Sequence, residues 1–589
     1  MEARKRNMNK HPDKIRLPLG VAVLAVVLFV LGGVVATEPS KPTENITSLI
    51  VQGTSFEAVT AAVENVGGEI THGLAIIDAV AAELTPTQIA SVEERADVRI
   101  YGNPTVEVTG RRGGGKKGGK GNEPDTFFSK MVDGDLVQAE GFTGRGVTVA
   151  VLDTGLELKI SLNNNSLGDY RVVGHYDAIA NEELSYTGSD ENGHGTHVAA
   201  VIANSSKGAS SGQFNGMAPD VELVMVRAFD ADGRGNYADV IRGLEWVRDN
   251  RVAMGIRVLN LSFSAPPQSH YWDDPLNQAV MRLWQEGVVV VASAGNSGPD
   301  PMTIGVPGNV PYVITVGAVT DSYTPDDPSD DRLTSFSSAG PTVEGFVKPE
   351  IVAPGGHVLN IMGWDTIASE HPEFHDSQDH FTMSGTSQAA AVVSGAVALL
   401  LEAEPWMTPD QVKSRLMATA RPAVNPDGTL AYSVFQQGAG VVNAYDAVWN
   451  LGQGENCEND CDGNGPSANQ GLDIDLDVAG VLHYGGRADQ HPDGTYYLRG
   501  LEGDGYLWSD GYLWSDGYLW SDGYLWSDGY LWSDGFLWSD GYLWSDAQVS
   551  GYLWSDAFSW ADGFLWSDGF LWSDTAAVPA STNVWVDQE

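Results

Sequence analysis

The stretch GVTVAVLDTG, Gly146 to Gly155, is an apolar, β-branched run that stops at a carboxylate. Similar runs follow: VELVMVRAF from Val221, RVLNLSF from Arg257, GVVVVASAGN from Gly287 and YVITVGAV from Tyr312. Between them lie helical patterns, among them ADVIRGLEWVRDN from Ala238 and PLNQAVMRLWQEG from Pro275. A run that is apolar at nearly every position, not at alternate ones, suits a strand covered on both faces. Such strands separated by helices predict an α/β fold, a parallel sheet with helices on both faces. In sheets of this kind, functional groups gather at the carboxyl ends of the strands. The polar residues that directly follow a strand, or open a helix, are therefore the ones to examine.

Three of them have complementary chemistry. Asp153 follows the first run, His194 opens HGTHVAAVIA, and Ser387 lies in SGTSQAAAVVSGAVALLL, where a Gly-containing turn enters a long apolar helix. A serine hydroxyl is a poor nucleophile until a base takes its proton. An imidazole has the right pKa for that task near neutrality. A carboxylate fixes the imidazole's tautomer and stabilises the imidazolium that forms. Asn296, at the end of GVVVVASAGN, adds a side-chain amide able to donate to a developing oxyanion.

In the segments VLDTG, NGHGTHVA, ASAGNSG and SGTSQAA the chain resembles the subtilisin-like serine peptidases, the subtilases. The fillers GMAPDVELVMVRAF, DGRGNYADVIRGLEWV, IGVPGNVPYVITVGAV, TSFSSAGP and KPEIVAPG fall in the same order, and the likeness covers residues 125–451. It implies a subtilisin-like fold and a serine endopeptidase working through an acyl-enzyme intermediate, with no cofactor needed for the chemistry. It assigns Asp153 as the carboxylate, His194 as the base and Ser387 as the nucleophile. Asn296 and the backbone N–H of Ser387 become the oxyanion donors. His197 is left as a residue that packs or hydrogen-bonds within the fold. The resemblance also implies that an extended substrate pairs with Leu261–Ser262–Phe263 and with Gly233–Arg234–Gly235. The first side-chain pocket is then walled by Ala292–Gly295 and floored near Gly305. No acidic residue lies in these segments, so the expectation is broad specificity with a preference for large apolar side chains. Two departures from the family pattern stand out: Ser264–Ala265 in place of Gly-Gly, where extra side chains would narrow that pocket, and Gln388–Val392 after the nucleophile.

The bulk properties bound the rest. The chain has 589 residues and a formal net charge of −45, which argues against nucleic-acid partners and for a well-solvated surface. Its only cysteines, Cys457 and Cys461, fit a small local disulfide better than a zinc site, since two further ligands are missing nearby. Arg4, Lys5, Arg6, Lys10, Lys14 and Arg16 precede an apolar run from Leu17 to Ala36. This reads as an export signal cleaved after Ala36, giving a secreted protein. The alternative is a retained membrane anchor with the protein facing outward.

Residues 45–108 read as a small α+β unit of strands and two helices, which the resemblance identifies as an inhibitory propeptide whose last strand lies in the cleft. Residues 109–124 contain RRGGGKKGGKG and form a linker. Beyond the peptidase-like region, 452–502 is expected to be an acidic, Gly-rich linker. Within it Asp460, Asp462 and Asn464 match the first half of a calcium loop, but the twelfth position is Gly471. A structural calcium site and a plain turn-rich linker both remain open. Residues 503–574 hold eleven GYLWSD-type units, and 575–589 form a tail. A period of six is even, so an extended chain places Tyr and Trp on one face. The repeats are expected to be β-structured or disordered. With no His, Lys, Arg or Cys in any unit, they suit contact with a cell surface or polysaccharide better than chemistry. The protein and peptide substrates and the chain's own propeptide are then its expected partners. A second reading of the whole chain is a surface adhesion or structural protein whose peptidase domain serves only self-processing.

Overall fold

The structure is a computed structural model and describes residues 46–107, 123–184, 189–325, 327–376, 379–426, 429–449, 468–469 and 471–499, with strand pieces at 530–531, 536–537 and 558–559. The signal segment, Arg111–Gly121 of the linker, both cysteines, Asp460, Asp462 and Asn464, and the side chains of the repeats lie outside the described residues.

The N-terminal unit contains β1 (Thr47–Gln52), α1 (Phe56–Asn65), β2 (Glu69–Leu74), β3 (Ala79–Leu84), α2 (Pro86–Glu93), β4 (Arg99–Gly102) and β5 (Thr105–Glu107). Its antiparallel sheet has the order β2-β3-β1-β4. Val51, Val59, Val63, Val80, Ala82, Leu84 and Val92 form a core of its own. The sequence suggests one strand over VRIYGNPTVEV, but the chain breaks at Asn103–Pro104, where proline cannot donate to a ladder. β4 stays with the unit, whereas β5 leaves it and pairs antiparallel with β10 (Arg234–Asn236) of the large domain.

The large domain is built on a nine-stranded sheet of β6 (Thr148–Asp153), β7 (Val172–Asp177), β8 (Glu182–Glu183), β9 (Glu222–Arg227), β11 (Ile256–Leu261), β12 (Val289–Ser293), β13 (Ile314–Thr320), β14 (Arg332–Leu333) and β15 (Ile351–Pro354). The order is β14-β13-β12-β11-β6-β9-β7-β8, with β15 also beside β13, and a separate antiparallel pair follows, β16 (Val358–Ile361) and β17 (His380–Met383). The interior pairs are parallel, as the unbroken apolar runs imply. The sheet is nonetheless mixed, since the short strands β8 and β14 are antiparallel. All of β6 is buried. Each of its large apolar side chains contributes about 1.5–3 kcal/mol by leaving water.

The helices of this domain are α3 (Phe128–Met131), α4 (Gly134–Ala139), α5 (Ile160–Asn163), α6 (His194–Ala203), α7 (Tyr237–Met254), α8 (Pro275–Gln285), α9 (Thr366–Glu370), α10 (Thr386–Ala403), α11 (Pro409–Ala418), α12 (Val434–Gln437) and α13 (Ala444–Trp449). α6 and α10 pack on each other and on one face of the sheet, and α7 and α8 cover the other. α10 is buried along most of its length and is the central helix of the core. α8 starts where Asp274 accepts the N–H groups of Leu276 and Asn277 and Pro275 takes the first helical position. Burial pushes the Asp274 carboxyl up to about 6 despite those donors.

The reading of 452–502 as a linker needs correction over its described part. Residues 468–499 form α14 (Ile474–Val478) and the short strands β18 (Tyr484–Gly485), β19 (Ala488–Gln490) and β20 (Tyr496–Leu498), and they are docked on the large domain. Tyr271 and Tyr312 both donate to Asp477 Oδ2, at 2.6 and 2.9 Å, and His483 Nδ1 lies 2.8 Å from Oδ1. Trp272 is stacked between His270 and His483, with ring centroids 4.4 and 4.9 Å away. Acidic residues disguise this strap in the sequence because the Asp477 carboxylate is satisfied chiefly by Tyr271 and Tyr312, 206 and 165 positions away.

Candidate active site

Asp153 is the last residue of β6, so its carboxylate emerges at the carboxyl edge of the sheet. His194 is the first residue of α6, entered through Gly193 in a left-handed conformation with φ 101°. His194 Nδ1 lies 2.6 Å from Asp153 Oδ1, and both residues are buried. The carboxylate therefore holds the ring with Nδ1 protonated, leaving Nε2 as the basic nitrogen. Nε2 is buried and has no hydrogen-bond partner among the described residues.

Behind this pair stands Asp190, which takes four hydrogen bonds. Oδ1 accepts from Thr154 Oγ1 at 2.8 Å and Gly193 N at 2.9 Å, and Oδ2 accepts from Thr196 N and Oγ1 at 2.8 and 2.7 Å. It ties the residue after Asp153 to the turn before His194. Asp365, the cap of α9, presses from the other side: a Cβ on Gly193 would lie 2.1 Å from its Oδ2. Burial raises the Asp365 carboxyl to about 8.

Ser387 occupies the second position of α10. Its hydroxyl donates to the carbonyl of Ser262 at 3.1 Å, and Ser262 Oγ returns a bond to the Ser387 carbonyl at 3.0 Å. The structure thus joins Asp153 to His194 directly and joins Ser387 to the segment after β11. Asn296 is oriented by the residue beside the serine. Its Oδ1 accepts from both N and Oγ1 of Thr386 at 3.0 Å, and Gly295 N donates to Thr386 Oγ1 at 3.2 Å. With its oxygen so anchored, Asn296 presents a buried Nδ2 that has no partner among the described residues. This is a donor held ready for an oxygen the protein itself does not supply.

The other expected positions also find places around this centre. Gly233, with φ 73°, turns the chain into β10, where Gly235 pairs with Val106 and Arg234 with Glu107. An extended segment thus already lies along this edge. Phe263 is buried against Phe229, and its carbonyl accepts from Ser293 Oγ at 3.0 Å. Ala292 lies in β12, and Gly295 and Gly305 both face the side chain of Ser264. His197 is buried one turn into α6 and hydrogen-bonds across to the Phe381 carbonyl at 3.1 Å. Burial lowers its pKa to about 3, so it stays neutral. Among the described residues no cluster of three or more His, Cys, Asp or Glu is arranged to hold a metal.

Sequence reasoning missed Thr386, Asp190 and Asp365. Thr386 lies within SGTSQAA, directly before Ser387, and Asp190 lies two residues before NGHGTHVA and four before His194, so their proximity was a usable signal. Asp365 had none, because only the fold brings it to Gly193.

The Subtilase family matches residues 144–444, about half of the 589-residue chain. The chain is similar to the serine protease AprX of Bacillus subtilis, 39% identical over 381 residues, which cover 63% of this chain and 79% of that protein. It is also similar to subtilisin DY of Bacillus licheniformis, 35% identical over 292 residues, covering 49% of this chain and 89% of that one. Among solved structures, fervidolysin from Fervidobacterium pennivorans, a keratinolytic enzyme related to subtilisin, shares the fold. Its TM-score is 0.53 at 23% identity, over 70% of this chain and 62% of that one. A family match across half its length, and a relative matched over most of its own, establish that this chain belongs to the subtilase family and is a serine-type endopeptidase, a hydrolase.

Proposed function

We propose that the protein is an exported endopeptidase that hydrolyses peptide bonds through Asp153, His194 and Ser387. The observation that carries this reading is the buried Asp153–His194 pair at 2.6 Å with Nε2 unpartnered, on a helix packed against the one that carries Ser387. In this reading the Ser387 hydroxyl leaves the Ser262 carbonyl and gives its proton to His194 Nε2. Nε2 takes the proton as Oγ attacks the substrate carbonyl, and Asp153 stabilises the imidazolium. The oxygen becomes negative between Asn296 Nδ2 and the Ser387 N–H. Collapse of the intermediate passes the proton from Nε2 to the leaving amine and leaves an acyl-enzyme. Water then repeats the sequence and releases the acid.

Residues 46–107 serve as an inhibitory propeptide in this reading. The support is that β5 occupies the edge β10 in the way a substrate strand would. The relatives, a serine protease and a subtilisin by name, support the protease reading, and the basic head followed by the apolar run Leu17–Ala36 supports export. Replacing Ser387 with alanine tests the core of the proposal. Turnover of a denatured protein substrate is expected to fall at least ~10⁴-fold, and the precursor is expected to accumulate uncut. An unchanged rate would remove Ser387 from the chemistry, and normal maturation would show that another protease does the cutting.

A further inference from the structure

The first side-chain pocket of the cleft is not the open slot that its glycine-rich walls suggest. Ser264 follows Phe263 on the wall formed by the β11 exit and is 1% exposed. A Cβ on Gly305 would lie 1.9 Å from Ser264 Oγ, and one on Gly295 would lie 2.9 Å from it. The Ser264 side chain therefore occupies the space that both glycines leave open, between the facing wall and the floor. The next residue, Ala265, exchanges two backbone hydrogen bonds with Val306, at 3.0 and 2.8 Å. That exchange fixes the wall against the floor one residue beyond Gly305.

The hydroxyl is also chemically idle. Ser264 Oγ is buried and has no hydrogen-bond partner among the described residues. A buried hydroxyl normally finds one. Here the Gly295 Cβ position that Ser264 Oγ approaches to 2.9 Å is also approached by Ser338 Oγ, at 3.0 Å. Ser338 Oγ is already engaged, accepting from Ser297 N at 3.1 Å. The Ser264 hydroxyl is thus a polar group with no use inside the protein, facing the place where the substrate's side chain enters.

We infer that Ser264 is a specificity-determining residue that closes the first pocket early and puts a hydrogen-bonding group at its end. The inference rests on the peptidase reading of the cleft and sharpens its substrate class. The residue before the scissile bond is short, and a hydroxyl or amide on it is favoured because it satisfies Ser264 Oγ. Large aromatic side chains are excluded by volume. This reverses the preference for large apolar residues that the absence of acidic wall residues suggests.

The test uses the mature enzyme and a peptide series that differs only in the residue before the cleaved bond: Ala, Ser, Leu and Phe. Wild type is expected to show kcat/KM for Ser and Ala about tenfold or more above Phe. Ser264→Gly is expected to raise the Phe-to-Ala ratio by about tenfold, because the gap reopens. Ser264→Ala keeps the Cβ but removes the hydroxyl. It is expected to leave the Phe-to-Ala ratio low while losing the preference for Ser over Ala. A wild type that already prefers Phe, or ratios that move in neither variant, would overturn the pocket inference alone. A wild type as inert as Ser387→Ala on every peptide would overturn the peptidase reading and this inference with it.

Discussion

Residues 46–107 and 468–499 come from opposite ends of the chain and settle on the same stretch of the large domain, Tyr271 to Gln285, by different physics. The N-terminal unit brings its own core, centred on Val51, Val59, Val80 and Leu84. It meets the domain through side chains on its surface: Arg99 to Asp273 at 2.8 Å, Gln52 to Gln278 at 2.6 Å and, nearby on α7, His72 to Asp239 at 2.9 Å. It also lays an apolar face on the domain: Ile50, Leu74, Ile76, Ile77, Ala79, Ala81 and Val106 join the large core cluster. The C-terminal strap does the reverse. Its Leu498 and Ala488 pack with Val347, Val434 and Phe435 of the domain, and Tyr484 enters the main core. Its carboxylate Asp477 is sunk beneath two tyrosine hydroxyls and a histidine. A segment with a core of its own can leave and remain folded. A segment whose core is borrowed cannot leave without damaging the lender. The contrast suits a propeptide on one side and an integral part of the enzyme on the other.

The strongest way to break the contrast is to remove the buried carboxylate. Asp477→Ala strands the Tyr271 and Tyr312 hydroxyls, and burial together with Asp477 already holds the Tyr271 phenol well above its usual pKa. The cost is expected to be about 3 kcal/mol, lowering Tm by roughly 3–5 °C. Calorimetry in the Ser387→Ala background, which avoids self-digestion, measures it. A shift under about 1 °C would make the strap as dispensable as the module. Next in size is Val106→Asp, which places a charge in the buried centre of β5. Inhibition of the mature enzyme by the separately made module is expected to weaken by roughly 100-fold, with the enzyme's own Tm unchanged. Smallest is Arg99→Ala. Its partner Asp273 is exposed, as Arg99 itself is, so inhibition is expected to change by about threefold or less, and less again in high salt.

Much of the candidate site was legible because its residues lie at the seams of local patterns. Asp153, Asn296 and Ser387 each sit where an apolar run meets glycine or a turn, and His194 opens a helix. The sheet was legible for the same reason, since β6, from Val149 on, and β12 are runs of Val, Ala and Leu that end on a polar residue. β2 was not, because EITHGL lies mostly at the surface and shows almost no buried residue to read. The strap was missed because alternating Asp and aliphatic residues in LDIDLDV look solvated until Tyr271, Tyr312 and Trp272 are placed beside them. Ser264 was noticed as a departure in sequence. Only the positions of Gly295 and Gly305 reveal which way its side chain faces.

The meeting of both flanks at Tyr271–Gln285 also sets an order in time. A ribosome makes the chain from the N-terminus, so Arg99 exists long before its partner Asp273, and Tyr271 exists long before Asp477. When the loop emerges, the module is already there to receive one side of it. The two tyrosines and Trp272 must wait some two hundred residues more for the strap. During that interval the nascent large domain is held at this stretch on one side only, by the N-terminal module.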